Sequence, residues 1–160
     1  MAQRNLGSEK LQRPTVAVFA DGQNVCLKKY GSTIIDFVNS LGDIPFLYAY
    51  HHWRAIPKET EHKLQLQGWQ CVDVAVKTRN ELDNRLMSDF ARLSIHWMPD
   101  ILVLVTGDKD FSPLIRACQM SERRVIVIGR HNNVSQRLQK LNPKDIFFVE
   151  DLQKFSKEAA

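Results

Sequence analysis

ILVLVTGDKDFS, residues 101–112, decides how the rest of this chain is read. Five consecutive apolar residues, Ile101 to Val105, predict a strand buried on both faces, the pattern of a parallel sheet covered by helices. Thr106-Gly107 then turns the chain, and Asp108 and Asp110 follow before a helical run begins. Working residues of an open α/β sheet sit just past the carboxyl ends of its strands. Two carboxylates at such a place suit a divalent cation, because hard cations take oxygen ligands. They equally suit capping, with Asp110 or Ser112 closing the next helix and Pro113 in its first turn. What separates the two readings is whether other carboxylates arrive at the same edge.

Working outward, Thr15 to Ala20 (TVAVFA) predicts a first strand ending in the turn Asp21-Gly22-Gln23-Asn24. Residues 25–41 carry helical signals interrupted by Gly31. A second strand follows over Ile44 to His51, then a helix opened by Pro57 and ended by Gly68. Trp69 to Val76 reads as a third strand. From Glu81 the period becomes helical, with Leu82, Leu86, Phe90 and Leu93 on one stripe. After the strand at 101–105 come a helix from about Phe111 to Met120 and a strand over Arg124 to Gly129. A short helix at 134–141, a short strand at 146–149 and a helix at 151–157 complete the chain. Strands alternating with helices predict a three-layer α/β/α sandwich, Rossmann-like, with a mainly parallel sheet. The strand order 3-2-1-4-5 is expected by analogy.

The bulk properties fit one domain over 15–155, after a polar leader at 1–14 and before a weak tail at 156–160. A chain of 160 residues with 44% hydrophobic content can bury a real core. A net charge of +4 is compatible with a polyanionic partner without requiring one. Cys26, Cys71 and Cys118 form neither a zinc pattern nor a disulfide framework, so reduced thiols and a cytoplasmic location are expected. No apolar run reaches membrane-spanning length, and the N-terminus lacks a hydrophobic signal core. The chain also lacks GxSxG, GxxxxGK and GxGxxG, which removes serine-hydrolase, P-loop and dinucleotide chemistry. A single Asp after strand one weakens an aspartyl-phosphate phosphotransferase reading.

Asp21, Asp83, Asp108 and Asp110 all follow strands or open the next helix, so a parallel sheet gathers them at one edge. Each has a plainer use. Asp83 lies three residues past Asn80, where an acid favours the helix dipole, and Asp21 could satisfy turn backbone. Asn24 could touch a metal's water shell or cap its helix. Asp89, seven residues after Leu82, falls about 20° from that leucine on the apolar stripe. A carboxylate there must be paired, protonated or near a cation. It is either an outer member of the site or an acceptor for buried backbone. Clustered carboxylates repel and raise one another's pKa, and Mg2+ or Mn2+ would relieve this while keeping water available as a nucleophile.

FADGQNV at 19–25, K…LDNRLMSDF from Lys77 to Phe90, and VTGDKDFSPLI at 105–115 together resemble the NYN family, a branch of the PIN-like metal-dependent ribonucleases. The last motif is the most specific, and the resemblance runs from Val16 to about Val149. It implies a metal-bound site acting on RNA, with Asp21, Asp83, Asp108 and Asp110 as the acidic cluster and Asn24, Asp89 and Ser112 in supporting positions. Thr106 stands where the family commonly has Ser, Asn84 follows Asp83 where an apolar residue is commoner, and the loop KTRNELDN is poor in glycine.

Lys77, Arg79 and Arg85 surround the expected acidic edge and could hold backbone phosphates, with Arg54 and Arg130 extending the track. A homodimer would lengthen it. Trp53 is a candidate stacking platform, although core packing is the commoner fate of Trp53, Trp69 and Trp97. Arg123 and Arg124 precede their strand and belong to the opposite edge. His51, His52 and His96 share no metal-ligand spacing with the cysteines. The competing functions are a metal-dependent ribonuclease, a non-catalytic RNA- or protein-binding module of the same fold, and a magnesium-dependent phosphatase or nucleotidase.

Overall fold

The computed structural model describes residues 12–75 and 80–159. Among the described residues six strands form one sheet: β1 (Thr15–Asp21), β2 (Asp43–His51), β3 (Gln70–Asp73), β4 (Ile101–Val105), β5 (Arg124–Gly129) and β6 (Ile146–Phe148). Their order is β3-β2-β1-β4-β5-β6, and every pairing is parallel. The expected order therefore holds, with β6 added at the edge. The helices are α1 (Leu27–Asn39), α2 (Lys58–Gln67), α3 (Glu81–His96), α4 (Ser112–Met120), α5 (Gln136–Leu141) and α6 (Val149–Ala159).

Alternation along β1 explains the three layers. Val16, Val18 and Ala20 pack with Leu27, Tyr30, Ile34 and Val38 of α1, on the face that also takes Leu64 of α2 and Leu152 of α6. Ala17 and Phe19 point the other way, against Leu82, Leu86 and Phe90 of α3 and Leu114, Ile115 and Cys118 of α4. Successive strand residues face opposite sides, so a strand with helices on both sides must be apolar throughout. All five residues of β4 are buried accordingly.

Two predicted elements differ. The third strand is only Gln70–Asp73, because its partner β2 ends at His51, opposite Asp73. Beyond it the partner chain enters a 3-10 turn, Trp53–Ala55. Nor does Gly31 interrupt α1: it lies buried within the helix, and a Cβ there would come 2.9 Å from Leu64 Cδ2. It is small so that α2 can pack closely, which local sequence cannot reveal. Gly68 does end α2, in the left-handed conformation at φ 111°.

The chain winds outward from β1 to β3, then crosses to β4 and winds outward the other way. The crossover makes the β1/β4 boundary a topological switch point, where loops leave in opposite directions and open a crevice. Ala20 pairs with Val105 there, which brings the turns after both strands side by side. At the opposite edge Arg124 pairs with Asp145 at 2.9 Å and Arg123 with Asp100 at 3.3 Å, as expected for residues at the start of a strand.

Candidate metal centre

The switch-point crevice is a cleft of about 480 Å³ into which Asp21, Asp83, Asp108 and Asp110 all project. Carboxylate oxygens of Asp83, Asp108 and Asp110 lie within 4.8 Å of one another. Asp21 lies deeper, only 4% exposed, and both its oxygens are engaged. Its Oδ1 accepts from the backbone N–H of Gln23 and Asn24 at 3.1 and 3.3 Å, and its Oδ2 accepts the Thr106 hydroxyl at 3.3 Å. The turn-forming use of Asp21 is thus real, and it coexists with a place in the cleft.

Capping is also present, but at another residue than expected. Asp108 Oδ1 accepts from Asp110 N at 2.9 Å and closes the 3-10 turn Lys109–Phe111. Asp110 is left exposed, and Ser112, buried, donates its hydroxyl back to the Lys109 carbonyl at 2.5 Å. Asn80 occupies the N-cap of α3 without a side-chain capping bond, so the first turn of α3 presents Asp83 to the cleft.

Asn24 caps nothing. Its Oδ1 accepts from Gly107 N at 2.8 Å, strapping the β1–α1 turn to the β4–α4 turn. Thr106 makes a second strap. Wholly buried, it donates to Asp21 and accepts from Asp108 N at 3.2 Å. Residue spacing within either turn contains no sign of these links, since the partners are 83 and 85 positions apart.

The electrostatics reflect crowding of like charge. Burial, opposed by the turn hydrogen bonds, pushes the Asp21 carboxyl up to about 6. Burial together with the neighbouring charges of Asp108, Asp21 and Asp110 pushes Asp83 up to about 7. Ionised together, these groups are unstable without a compensating cation. Hard oxygen donors at this spacing fit a divalent ion, and Lys109 at the cleft rim is the cationic side chain that sequence reasoning passed over. Its signal was its place between Asp108 and Asp110.

The remaining candidates separate. Asp89 is not in the cluster; it accepts from the Tyr50 hydroxyl at 2.8 Å and pairs with Arg85 at 3.2 Å, tying α3 to β2. Its partners are a cation one turn away on the same helix and a tyrosine from another element, not buried backbone. Arg85 is correspondingly engaged. Arg54 is exposed and weakly paired with Asp73 at 3.8 Å, and Arg130 is exposed just past β5. Lys77 and Arg79 lie outside the described residues. Trp53 is buried and donates Nε1 to the Ala49 carbonyl at 3.0 Å, so it offers no stacking face.

Fold and cleft define a PIN-like nuclease fold with carboxylates gathered at the switch point. The NYN domain model matches residues 15–148, and the chain belongs to that family. Among solved structures it is similar to a protein of unknown function from Vibrio parahaemolyticus, at 21% identity and a TM-score of 0.73. That likeness covers 94% of this chain and 98% of the other, and at such identity it concerns the fold alone. No curated protein matches. Among the described residues no helix is long and apolar enough to cross a membrane.

Proposed function

We propose that this protein is a metal-dependent ribonuclease that hydrolyses RNA phosphodiester bonds in the cleft between β1 and β4. The observation that carries the reading is the convergence of Asp83, Asp108 and Asp110 oxygens within 4.8 Å at the switch point. These three side chains hold a divalent ion, Mg2+ or Mn2+, and Asp21 adds its charge from the floor of the cleft. When bound, such an ion supplies charge neutralisation at the phosphate and an activated water. Asn24 and Thr106 act as positioning residues, holding the two acidic turns in register, and Ser112 braces the 3-10 turn that carries Asp110. Lys109, exposed and without an ion pair among the described residues, binds a phosphate oxygen at the rim. Arg54 and Arg130 contact the strand further out. Three free thiols accord with a reducing, cytoplasmic setting.

The test uses labelled RNA and matched DNA with manganese, magnesium or EDTA, beside an Asp108→Asn/Asp110→Asn double variant. Cleavage of RNA that requires metal and disappears in the variant is the expected result. RNA bound but uncut under every metal condition would replace the nuclease by a binding module. Activity on a phosphomonoester with none on RNA would indicate a phosphatase.

A further inference from the structure

The cleft does not end at the carboxylates. Asn24, Asp108 and Lys109 also wall a second, open groove of about 370 Å³, whose far side is the β5–α5 loop at Asn132, Asn133 and Ser135. Its frame is held by backbone. Gly107 N donates to Asn24, Ser135 N donates to the Gly107 carbonyl at 2.9 Å, and Asn133 N donates to the Arg130 carbonyl at 3.1 Å. A Cβ at Gly107 would meet the Asn133 carbonyl oxygen at 2.0 Å, so the loop sits directly on the β4–α4 turn.

The groove is lined by side chains with unspent hydrogen-bonding capacity. Asn132 is exposed and Asn133 half-buried, and neither side-chain amide has a partner among the described residues. Other amides nearby have structural partners: Asn24 Oδ1 accepts from Gly107 N, and Asn142 and Gln139 donate to the Val125 and Val134 carbonyls. The left-handed φ of 62° at Asn132 accounts for Asn or Gly there, but nothing in the backbone asks for an amide at 133. Each amide offers two donors and an acceptor. Neutral groups of that kind match base edges and ribose hydroxyls as well as phosphate oxygens, but add none of the counterion release that a cation brings.

We propose that this groove is the subsite for the nucleoside flanking the scissile phosphate, read through the Asn132 and Asn133 amides. The proposal rests on the ribonuclease reading and narrows the substrate to an unpaired strand, because a base can enter a side groove only when unstacked.

The test is fluorescence anisotropy of a labelled five-nucleotide RNA, and of the matching DNA, measured with calcium in place of manganese. An Asn132→Gly/Asn133→Ala double variant is expected to bind RNA about 5–30-fold more weakly, the loss of one or two net hydrogen bonds. The slope of affinity against salt should stay at the wild-type value, because the lost contacts are neutral, whereas Lys109→Ala should lower it. An equal loss for RNA and DNA that persists on an abasic strand would mean a phosphate contact and overturn the subsite. Equal losses that vanish on the abasic strand would identify the base edge as the group read, and a loss for RNA alone the 2′-hydroxyl. Either of these last two supports the subsite. Unchanged affinity, or a loss accompanied by a lower salt slope, would overturn it. A wild-type protein that binds no RNA would instead remove the ribonuclease reading, and the subsite with it. Where the double variant loses cooperative melting, Asn132→Gly alone repeats the test at an exposed position whose φ glycine adopts freely.

Discussion

Replacing Asp83 by Asn should make the metal-free protein more stable, and more so at high pH. The Asp83 carboxyl is pushed from 3.8 to about 7 by burial and by the acids around it. A raised acid binds its proton more tightly in the folded state. Its favourable contribution is therefore full below the unfolded pKa and is lost as pH rises through the folded one. Relative to a neutral side chain, ionisable Asp83 costs roughly 1–2 kcal/mol at pH 5 and about 4 kcal/mol at pH 8. An amide carries no charge and can still donate to Asp108, so Asp83→Asn removes most of that cost. The difference between the two pH values, about 2–3 kcal/mol, corresponds to an extra rise in Tm of roughly 5–10 °C at pH 8 for a domain of this size. Thermal melts of wild type and variant in EDTA at pH 5 and pH 8 read it directly. A gain equal at both pH values, or a loss at pH 8, would refute the reasoning, since the stabilisation would not come from relieved charge. The same variant should lose metal-dependent cleavage, the expected trade where a site is kept charged for function.

Metal addition should act in the opposite direction to protonation. Manganese should raise the wild-type Tm more at pH 8 than at pH 5, where Asp21 and Asp83 hold protons that the ion must displace; equal shifts at both values would speak against a carboxylate site. Thr106→Val keeps the buried shape but leaves Asp21 Oδ2 and Asp108 N without their shared hydroxyl, which should lower stability by about 1–3 kcal/mol, measured by urea unfolding, and reduce cleavage. Gly107→Ala places a methyl 2.0 Å from the Asn133 carbonyl oxygen, so the β5–α5 loop must shift; a loss of about 1–3 kcal/mol with weaker RNA binding is expected.

How far the residues alone could be read depended on the range of the interaction. The run Ile101–Val105 announced a strand buried on both faces because a strand with helices on each side has no position for a polar side chain. Alternating strand and helix patterns then required parallel crossovers, which bring Asp21, Asp83 and Asp108 to one edge whatever the detailed packing. Motif spacing carried the family as well, over residues 15–148. These are short-range or topological facts, and a sequence records them.

Only the tertiary structure decided which carboxylates meet and what the other polar residues do. Asp21 is near in the motif sense, yet its oxygens serve Gln23, Asn24 and Thr106, while Asp83, Asp108 and Asp110 approach one another. Asn24 and Thr106 were each open to a local reading, and their partners come from a turn more than 80 residues away. Asp89 had Arg85 one helical turn away, but its second partner, Tyr50, came into view only when β2 packed against α3. A side-chain hydrogen bond is directional and made over about 3 Å, so it depends on how elements dock rather than on the order of residues within any one of them.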